Sequence, residues 1–470
     1  MTVLDLTLNV HATHCLDVLD PATGELVGRI PAGSPEAADA AVRAARAAQP
    51  GWGRTAPGER GGILKAAARR VRDHAEELAA LQTREGGKPL ADSLGGVEAG
   101  IGALEQYAEL GPLHRGRSLQ GGWEAADLMI HEPRGVVALL VPWNDPIAIA
   151  CGQIAAALVT GNSVVYKPSE KTPLSAARLV ELLDLPGGIL QLLHGDARAG
   201  RPLARHPGVD LVIHTGTVQT GREVMEACVD RIGKALLELG GKDAMIVDAG
   251  VDPEWAAEQA AIGAFANAGQ ICTSVERIYV HRDVAEPFVA ALTRRAEAIA
   301  VGPGTDPATD MGPLIDDDQV DWVHNHVEDA CHNGADLRTG GRVPEGPGSF
   351  YPPTVLLGPP GDAPVITQET FGPVAAVRVV DSFAAGLEEA NRGEYGLAAV
   401  VLTPSHAHAQ QAWRELEVGT VKVNAVFGGA PGGAAEPRRS SGQGFGYGPE
   451  LLDEVTHTKV VHLAVTPPVS

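Results

Sequence analysis

The chain has 470 residues, 44% hydrophobic and 4% aromatic, with 59 acidic against 37 basic side chains and a net charge of −22. That length exceeds one ordinary core and predicts two or three domains. The acidic balance excludes nucleic acid as a main partner, because phosphate binding needs a concentrated positive surface.

The five cysteines, Cys15, Cys151, Cys228, Cys272 and Cys331, are far apart and form no CxxC, so neither a disulfide framework nor a zinc knuckle is encoded. His11 with His14, His324 with His326, and His406 with His408 are close pairs without further ligands nearby. They read as solvated surface histidines, and no metal site is expected. The N-terminal MTVLDLTLNVHATHC has no basic stretch followed by an apolar core. The longest apolar run, IAIACGQIAAALV, is interrupted by Gln153 and too short to span a bilayer. A cytoplasmic protein without a membrane partner is expected.

In chain order, residues 35–111 are alanine-rich with helical spacing and predict two or three helices, broken at EGGKPL. The pattern then changes to short, β-rich apolar runs at 135–143, 163–167, 189–194, 210–215 and 234–239. Helix-like segments at 146–159, 173–183, 197–206 and 217–230 separate them. Strands buried on both faces and alternating with helices predict a parallel α/β sheet that carries its ligand at the strands' carboxyl ends. A second α/β series follows, with strands at 244–248, 277–281, 398–403 and 419–424 and helices at 253–268, 283–299, 317–334 and 404–416. Gly/Pro-rich connections separate its members, and GGAPGGAAEPRRSSGQGFGYG near the end reads as a long loop.

Chemistry-bearing residues cluster at the predicted strand ends. In VPWNDP, Asn144 is placed to donate a hydrogen bond above the sheet or simply to cap the next helix. In YKPSE, Lys167 and Glu170 fit a nucleotide ribose or a surface ion pair. In TGTVQTG, Gly216 and Gly221 bracket a helix start suited to a pyrophosphate, but Arg222-Glu223 rules out a P-loop. In ELGGK, Glu238 stands at an apolar strand end as a candidate base or a solvated terminus. Cys272 in GQICTS, taken alone, is a small apolar filler. Facing the same cleft, these groups suit thiol-based oxidation of an aldehyde.

VPWN, YKPSE, TGTVQTG, ELGGK, GQIC, QETFGPV and the tail with SGQG resemble the aldehyde dehydrogenase superfamily in order and spacing, over essentially the whole chain. The resemblance implies a Rossmann-type parallel-sheet cofactor domain, an α/β catalytic domain and a small β oligomerisation element. It implies Cys272 as nucleophile, Glu238 as the base for the deacylating water, and Asn144 with the Cys272 N–H as oxyanion hole. Lys167, counted with both the catalytic and the cofactor residues, and Glu170 would hold the adenosine ribose. Trp143, Gly216, Thr217 and Gly221 would line the rest of the cofactor site, Glu369 would hold the nicotinamide ribose, and Phe371 would pack beside that ring. The cofactor domain is expected at 1–115 and 134–239, the catalytic domain at 240–428, and the oligomerisation element at 116–133 with 455–466. That element implies a homodimer or homotetramer.

Glu170 repels a 2′-phosphate, which favours NAD over NADP. Glu238 favours hydrolysis over transfer of the acyl group to CoA. A phosphate-forming relative differs in fold and length, a thiol hydrolase needs a histidine beside these motifs, and a retired binding protein would first lose Cys272 or Glu238. Asp145 departs from the usual aromatic or small residue after the asparagine, and attracts an amino-aldehyde or caps the following helix. His214 replaces an aromatic, and the 429–444 loop adds Arg438 and Arg439, read as an exposed turn.

Overall fold

A computed structural model describes residues 4–5, 14–428 and 433–466. Two helix-flanked sheets organise the chain. The first has six strands in the order Gly442–Gln443, Lys234–Leu239, Leu211–Gly216, Val136–Val141, Ser163–Pro168 and Leu190–Leu192, parallel except for the Gly442–Gln443 edge. The second has seven, ordered Asp336–Thr339, Thr354–Leu357, Val374–Val380, Val275–His281, Asp243–Val247, Ala398–Leu402 and Thr420–Val423.

The sequence VVALLV shows why these strands lie in the interior. All six residues of Val136–Val141 are buried. Successive side chains point to opposite faces, so Val137, Leu139 and Val141 join one core while Val136, Ala138 and Leu140 join another. Neither face offers a polar position to water, as a sheet covered by helices on both sides requires.

The N-terminal region holds four helices, Pro35–Arg54, Pro57–Asp73, Ala75–Gly86 and Leu90–Leu110. Ser34 caps the first by accepting from the Ala37 N–H, and Gly87, at φ 79°, ends the third in the left-handed conformation. The break predicted at EGGKPL is therefore real. The strands Arg117–Leu119, Ala125–Pro133 and Thr456–Ala464 form a separate antiparallel sheet, with Thr456 opposite Pro133 and Ala464 opposite Ala125.

The structure adds strands beyond the predicted ones. Asp336–Thr339, Thr354–Leu357 and Val374–Val380 complete the second sheet beside Gly/Pro-rich segments. Gly442–Gln443, inside the stretch read as loop, pairs with Leu237 and Glu238. Gly442 has φ 134°, and a Cβ there would lie 2.0 Å from the Leu237 carbonyl oxygen, so only glycine permits this approach. Residues 429–432 of that predicted loop, and His11, lie outside the described residues. Among the described residues, no helix is long and apolar enough to cross a membrane.

Candidate active site

A cleft of about 500 Å³ opens at the carboxyl ends of the first sheet, lined by Trp143, Lys167, Glu170, His214, Gly216 and Thr217 among others. Lys167 is buried there, donates to the Pro168 carbonyl at 2.9 Å and stands 3.7 Å from Glu170. Burial lowers its pKa, and the nearby Glu170 and Asp196 act against that shift. Thr217 caps the helix Val218–Val229, accepting from the Thr220 N–H at 3.2 Å, so that helix's positive end opens on the cleft. Gly221 serves packing, because an added Cβ would come within 2.6 Å of Leu239. Gly216 makes room for the buried His214 ring, which a Cβ would approach to 2.7 Å. Burial lowers His214 to about 4, so it stays neutral.

The Cys272 loop is held from several sides. Asn267 (φ 50°), Ala268 (φ 54°) and Gly269 (φ 72°) are consecutively left-handed, a sequence that only strong tertiary constraint sustains. Gln270 supplies it: its Nε2 donates to the Asn267 carbonyl at 3.1 Å, and its Oε1 accepts from the Ile315 N–H at 2.9 Å. The Gln270 carbonyl in turn accepts from Asn267 Nδ2 and Asn144 Nδ2, both at 3.1 Å. Asn144 thus spends one N–H bracing this loop and keeps its second. Cys272 retains solvent access, whereas Cys151 and Cys228 are buried in the cores. Its reading as an apolar filler fails on that contrast. Desolvation by the surrounding walls pushes its thiol up to about 12, with Asp243, Glu238 and Glu369 adding to the rise.

Glu238 accepts from the Gly446 N–H at 2.8 Å, and burial raises its carboxyl to about 7. Glu369 accepts from the Gly241 N–H at 3.1 Å, and burial lifts it to about 8. Gly240 is required beneath it, since a Cβ there would meet the Glu369 carboxylate at 2.3 Å.

A buried network fixes the residues that follow Glu369. Glu276 accepts from the Thr370 and Phe371 N–H groups, both at 2.8 Å, and pairs with Lys242, which donates to Thr370 Oγ1 at 2.9 Å. His326 Nδ1 adds a contact to Thr370 Oγ1 at 3.1 Å. Phe371 is held at φ 51° with its ring edge-on to Trp143, centroids 5.5 Å apart.

The protein-family model for the aldehyde dehydrogenase family matches residues 9–461. The chain belongs to the aldehyde dehydrogenase family. It is 35% identical over 464 residues to betaine aldehyde dehydrogenase of Cereibacter sphaeroides, covering 96% of this chain and 94% of that one. It is 36% identical to 3,6-anhydro-alpha-L-galactose dehydrogenase of Streptomyces coelicolor, over 95% and 93% of the two chains. Among solved structures, betaine aldehyde dehydrogenase of Staphylococcus aureus in complex with NAD+ superposes with a TM-score of 0.94 at 31% identity, covering 98% and 94%. Lactaldehyde dehydrogenase of Escherichia coli superposes equally well, TM-score 0.94 at 33% identity, covering 96% of each chain.

Against this aldehyde dehydrogenase background the departures find places. Asp145 has Lys88 3.5 Å away and lies against Gly96, where a Cβ would be 2.7 Å from its Oδ1. It precedes the helix Pro146–Val159 but makes no side-chain cap bond to it. Arg438 and Arg439 are exposed, and Arg439 donates to the Asn391 and Gly393 carbonyls, away from Asp145. The close histidine pairs diverge: His324 reaches the Tyr351 hydroxyl at 3.1 Å, while His326 is buried beneath Thr370 instead of being solvated. The bracing roles of Gln270, Asn267, Lys242, Glu276 and Gly446 went unassigned from sequence, although GQIC and ELGGK contain two of these residues.

Proposed function

We propose that this aldehyde dehydrogenase oxidises its aldehyde to the carboxylic acid with NAD, using Cys272 as nucleophile and Glu238 as hydrolytic base. The observation that carries the reading is an exposed Cys272 on a loop whose Gln270 carbonyl takes the Asn144 Nδ2 hydrogen bond, with the half-buried Glu238 at the end of a first-sheet strand. The cleft suits the dinucleotide: it combines the buried Lys167 ammonium, the neighbouring Glu170 and the Thr217 helix terminus. Trp143, Lys167, Glu170, Gly216 and Thr217 would hold its adenosine and pyrophosphate, with Gly221 supporting the turn, and Glu369 and Phe371 its nicotinamide half. When bound, NAD supplies the hydride acceptor that leaves the substrate as a thioester on Cys272.

The chain's own groups carry the remaining steps. Cys272 loses its proton to the water that reaches it, and its sulfur adds as thiolate to the carbonyl carbon. The developing oxyanion takes hydrogen bonds from the second Asn144 N–H and the Cys272 backbone N–H. In deacylation Glu238 accepts a proton from water, whose oxygen attacks the thioester carbon. The C–S bond breaks, Cys272 Sγ leaves, and the acid departs. A carboxyl near 7 is ionised enough at neutral pH to take that proton and basic enough to use it.

Residues 1–115 and 134–239 would form the cofactor domain and 240–428 the catalytic domain. The 116–133 and 455–466 segments would pair two copies in a homodimer, or in a tetramer of two such dimers. A reduced thiol nucleophile fits a cytoplasmic setting. Lys88 offsets Asp145, so the substrate favoured is an uncharged aldehyde over a cationic one.

The test is NADH formation against cationic, anionic and neutral aldehydes, beside Cys272→Ala and with NADP and CoA in separate reactions. NAD reduction without CoA, abolished in the variant, supports the hydrolytic reading; an absolute need for CoA overturns it. A preference for cationic aldehydes retained in Lys88→Met and lost in Asp145→Asn would restore Asp145 as their anchor.

A further inference from the structure

Away from the cleft, two histidines and an aspartate from three separate elements converge at the base of the antiparallel three-stranded sheet. His114 follows the short turn Gly111–Leu113, His131 lies on the strand Ala125–Pro133, and Asp453 sits in the short helix Leu451–Glu454. His114 Nε2 stands 2.8 Å from Asp453 Oδ1. The His114 and His131 rings stack with centroids 4.1 Å apart and planes inclined by 28°. Among the described residues, His131 Nδ1 is buried without a hydrogen-bond partner. One ligand atom from each of the three residues lies within 4.8 Å of the other two.

The feature that needs a partner is His131 Nδ1, since His114 already meets Asp453. A buried ring nitrogen with no donor or acceptor loses its hydration for nothing. Two imidazoles and a carboxylate brought together from three elements are a ligand set for a borderline divalent cation.

We propose that His114, His131 and Asp453 bind a divalent transition-metal ion of the Zn2+ class, with water as fourth ligand. Ligand atoms at about 2.1 Å from an ion, set tetrahedrally, lie about 3.4 Å apart. Small side-chain rotations would widen the 2.8 Å His114–Asp453 contact and draw His131 inward. The ion would tie the strand Ala125–Pro133 to the end of the helix Leu90–Leu110 and to the helix Leu451–Glu454. It would anchor the three-stranded sheet to the cofactor-side core and stand outside the chemistry at Cys272.

The test uses the full chain carrying Cys15→Ser and Cys272→Ala, so that neither exposed thiol captures the ion. After chelator treatment, Co2+ is titrated and followed by its visible absorption, and Zn2+ by calorimetry. One equivalent per chain with tetrahedral Co2+ absorption, and a higher melting temperature with Zn2+, is expected. His131→Ala, and the conservative Asp453→Asn at an exposed position, should each weaken binding at least about tenfold. Circular dichroism checks that both variants remain folded. No stoichiometric binding in the parent, or undiminished binding in Asp453→Asn and His131→Ala together, overturns the site.

Discussion

Replacing Glu238 by glutamine changes little sterically, because the amide oxygen can still accept the Gly446 N–H now held at 2.8 Å. Burial raises the wild-type carboxyl from 4.5 to about 7, so the fold favours the neutral acid by roughly 3 kcal/mol. Two consequences of opposite sign follow. A base at about 7 is roughly one-tenth ionised at pH 6 and nine-tenths at pH 8, so steady-state turnover should climb about ninefold between them. Stability runs the other way. The folded state binds this proton more tightly than the unfolded chain, so its contribution is full below about pH 4.5 and lost as pH rises through 7. The Glu238→Gln variant never ionises, and should melt higher than wild type at pH 8 while losing about 10²–10⁴-fold in turnover. Stopped-flow NADH absorbance separates the steps: the first turnover persists as a burst, and only the following steady state collapses. A variant turning over within about twofold of wild type, or a wild-type rate flat from pH 6 to 8, refutes Glu238 as the base.

Asn144→Ala should lower kcat by about 10²–10³-fold, while alkylation of Cys272 by iodoacetamide continues, because Asn267 Nδ2 still holds the Gln270 carbonyl and the main loss falls on the oxyanion. Lys242→Met leaves the buried Glu276 without its cation and with the Thr370 and Phe371 N–H contacts; a loss of about 3–5 kcal/mol in guanidinium unfolding is expected, and a loss under about 1 kcal/mol sinks the account. Gly269→Ala combines φ 72° with a Cβ 2.1 Å from the Gly372 carbonyl oxygen, so melting temperature and activity should both fall steeply. Gly334→Ala, at φ 99° with open space around it, should cost only about 1–2 kcal/mol and spare activity.

The strands of the first sheet were legible because burial on both faces leaves an almost unbroken apolar run, as in VVALLV. Gly442–Gln443 was hidden for the opposite reason: two residues of pairing inside a glycine-rich stretch carry no periodicity, and a conformation open only to glycine looks from sequence like a loop. Val374–Val380 is as apolar as its neighbours, but it directly follows QETFGP, whose chemistry drew the reading away from the strand behind it. Motif residues were visible at the strand ends. Their supports were not, because Lys242 meets Glu276 across 34 residues and Glu238 meets Gly446 across 208. The trio of His114, His131 and Asp453 was invisible in the same way, since no ligand spacing survives a separation of 339 residues.

Asn144, Glu238 and Glu369 are each hydrogen-bonded to backbone from a different part of the chain, and this explains how two separate sheets can form one site. Asn144, at the end of a first-sheet strand, donates to the Gln270 carbonyl of the loop that carries Cys272. Glu369, which precedes a second-sheet strand, accepts from Gly241 in the turn that leaves the first sheet. Glu238 is held by Gly446 from beyond the second sheet. Misplacing reacting atoms by an ångström costs orders of magnitude in rate, so side-chain rotamers on two independently packed sheets would be a poor way to fix them. Hydrogen bonds to backbone groups tie the relative position of the sheets to the position of the reacting atoms. The left-handed run at Asn267, Ala268 and Gly269 belongs to the same device: its strain is tolerated because Gln270 is bonded on both of its amide atoms and on its carbonyl. The place of Cys272 is therefore set by the residue two before it, which bonds to Asn144 beyond a first-sheet strand and to the Ile315 N–H.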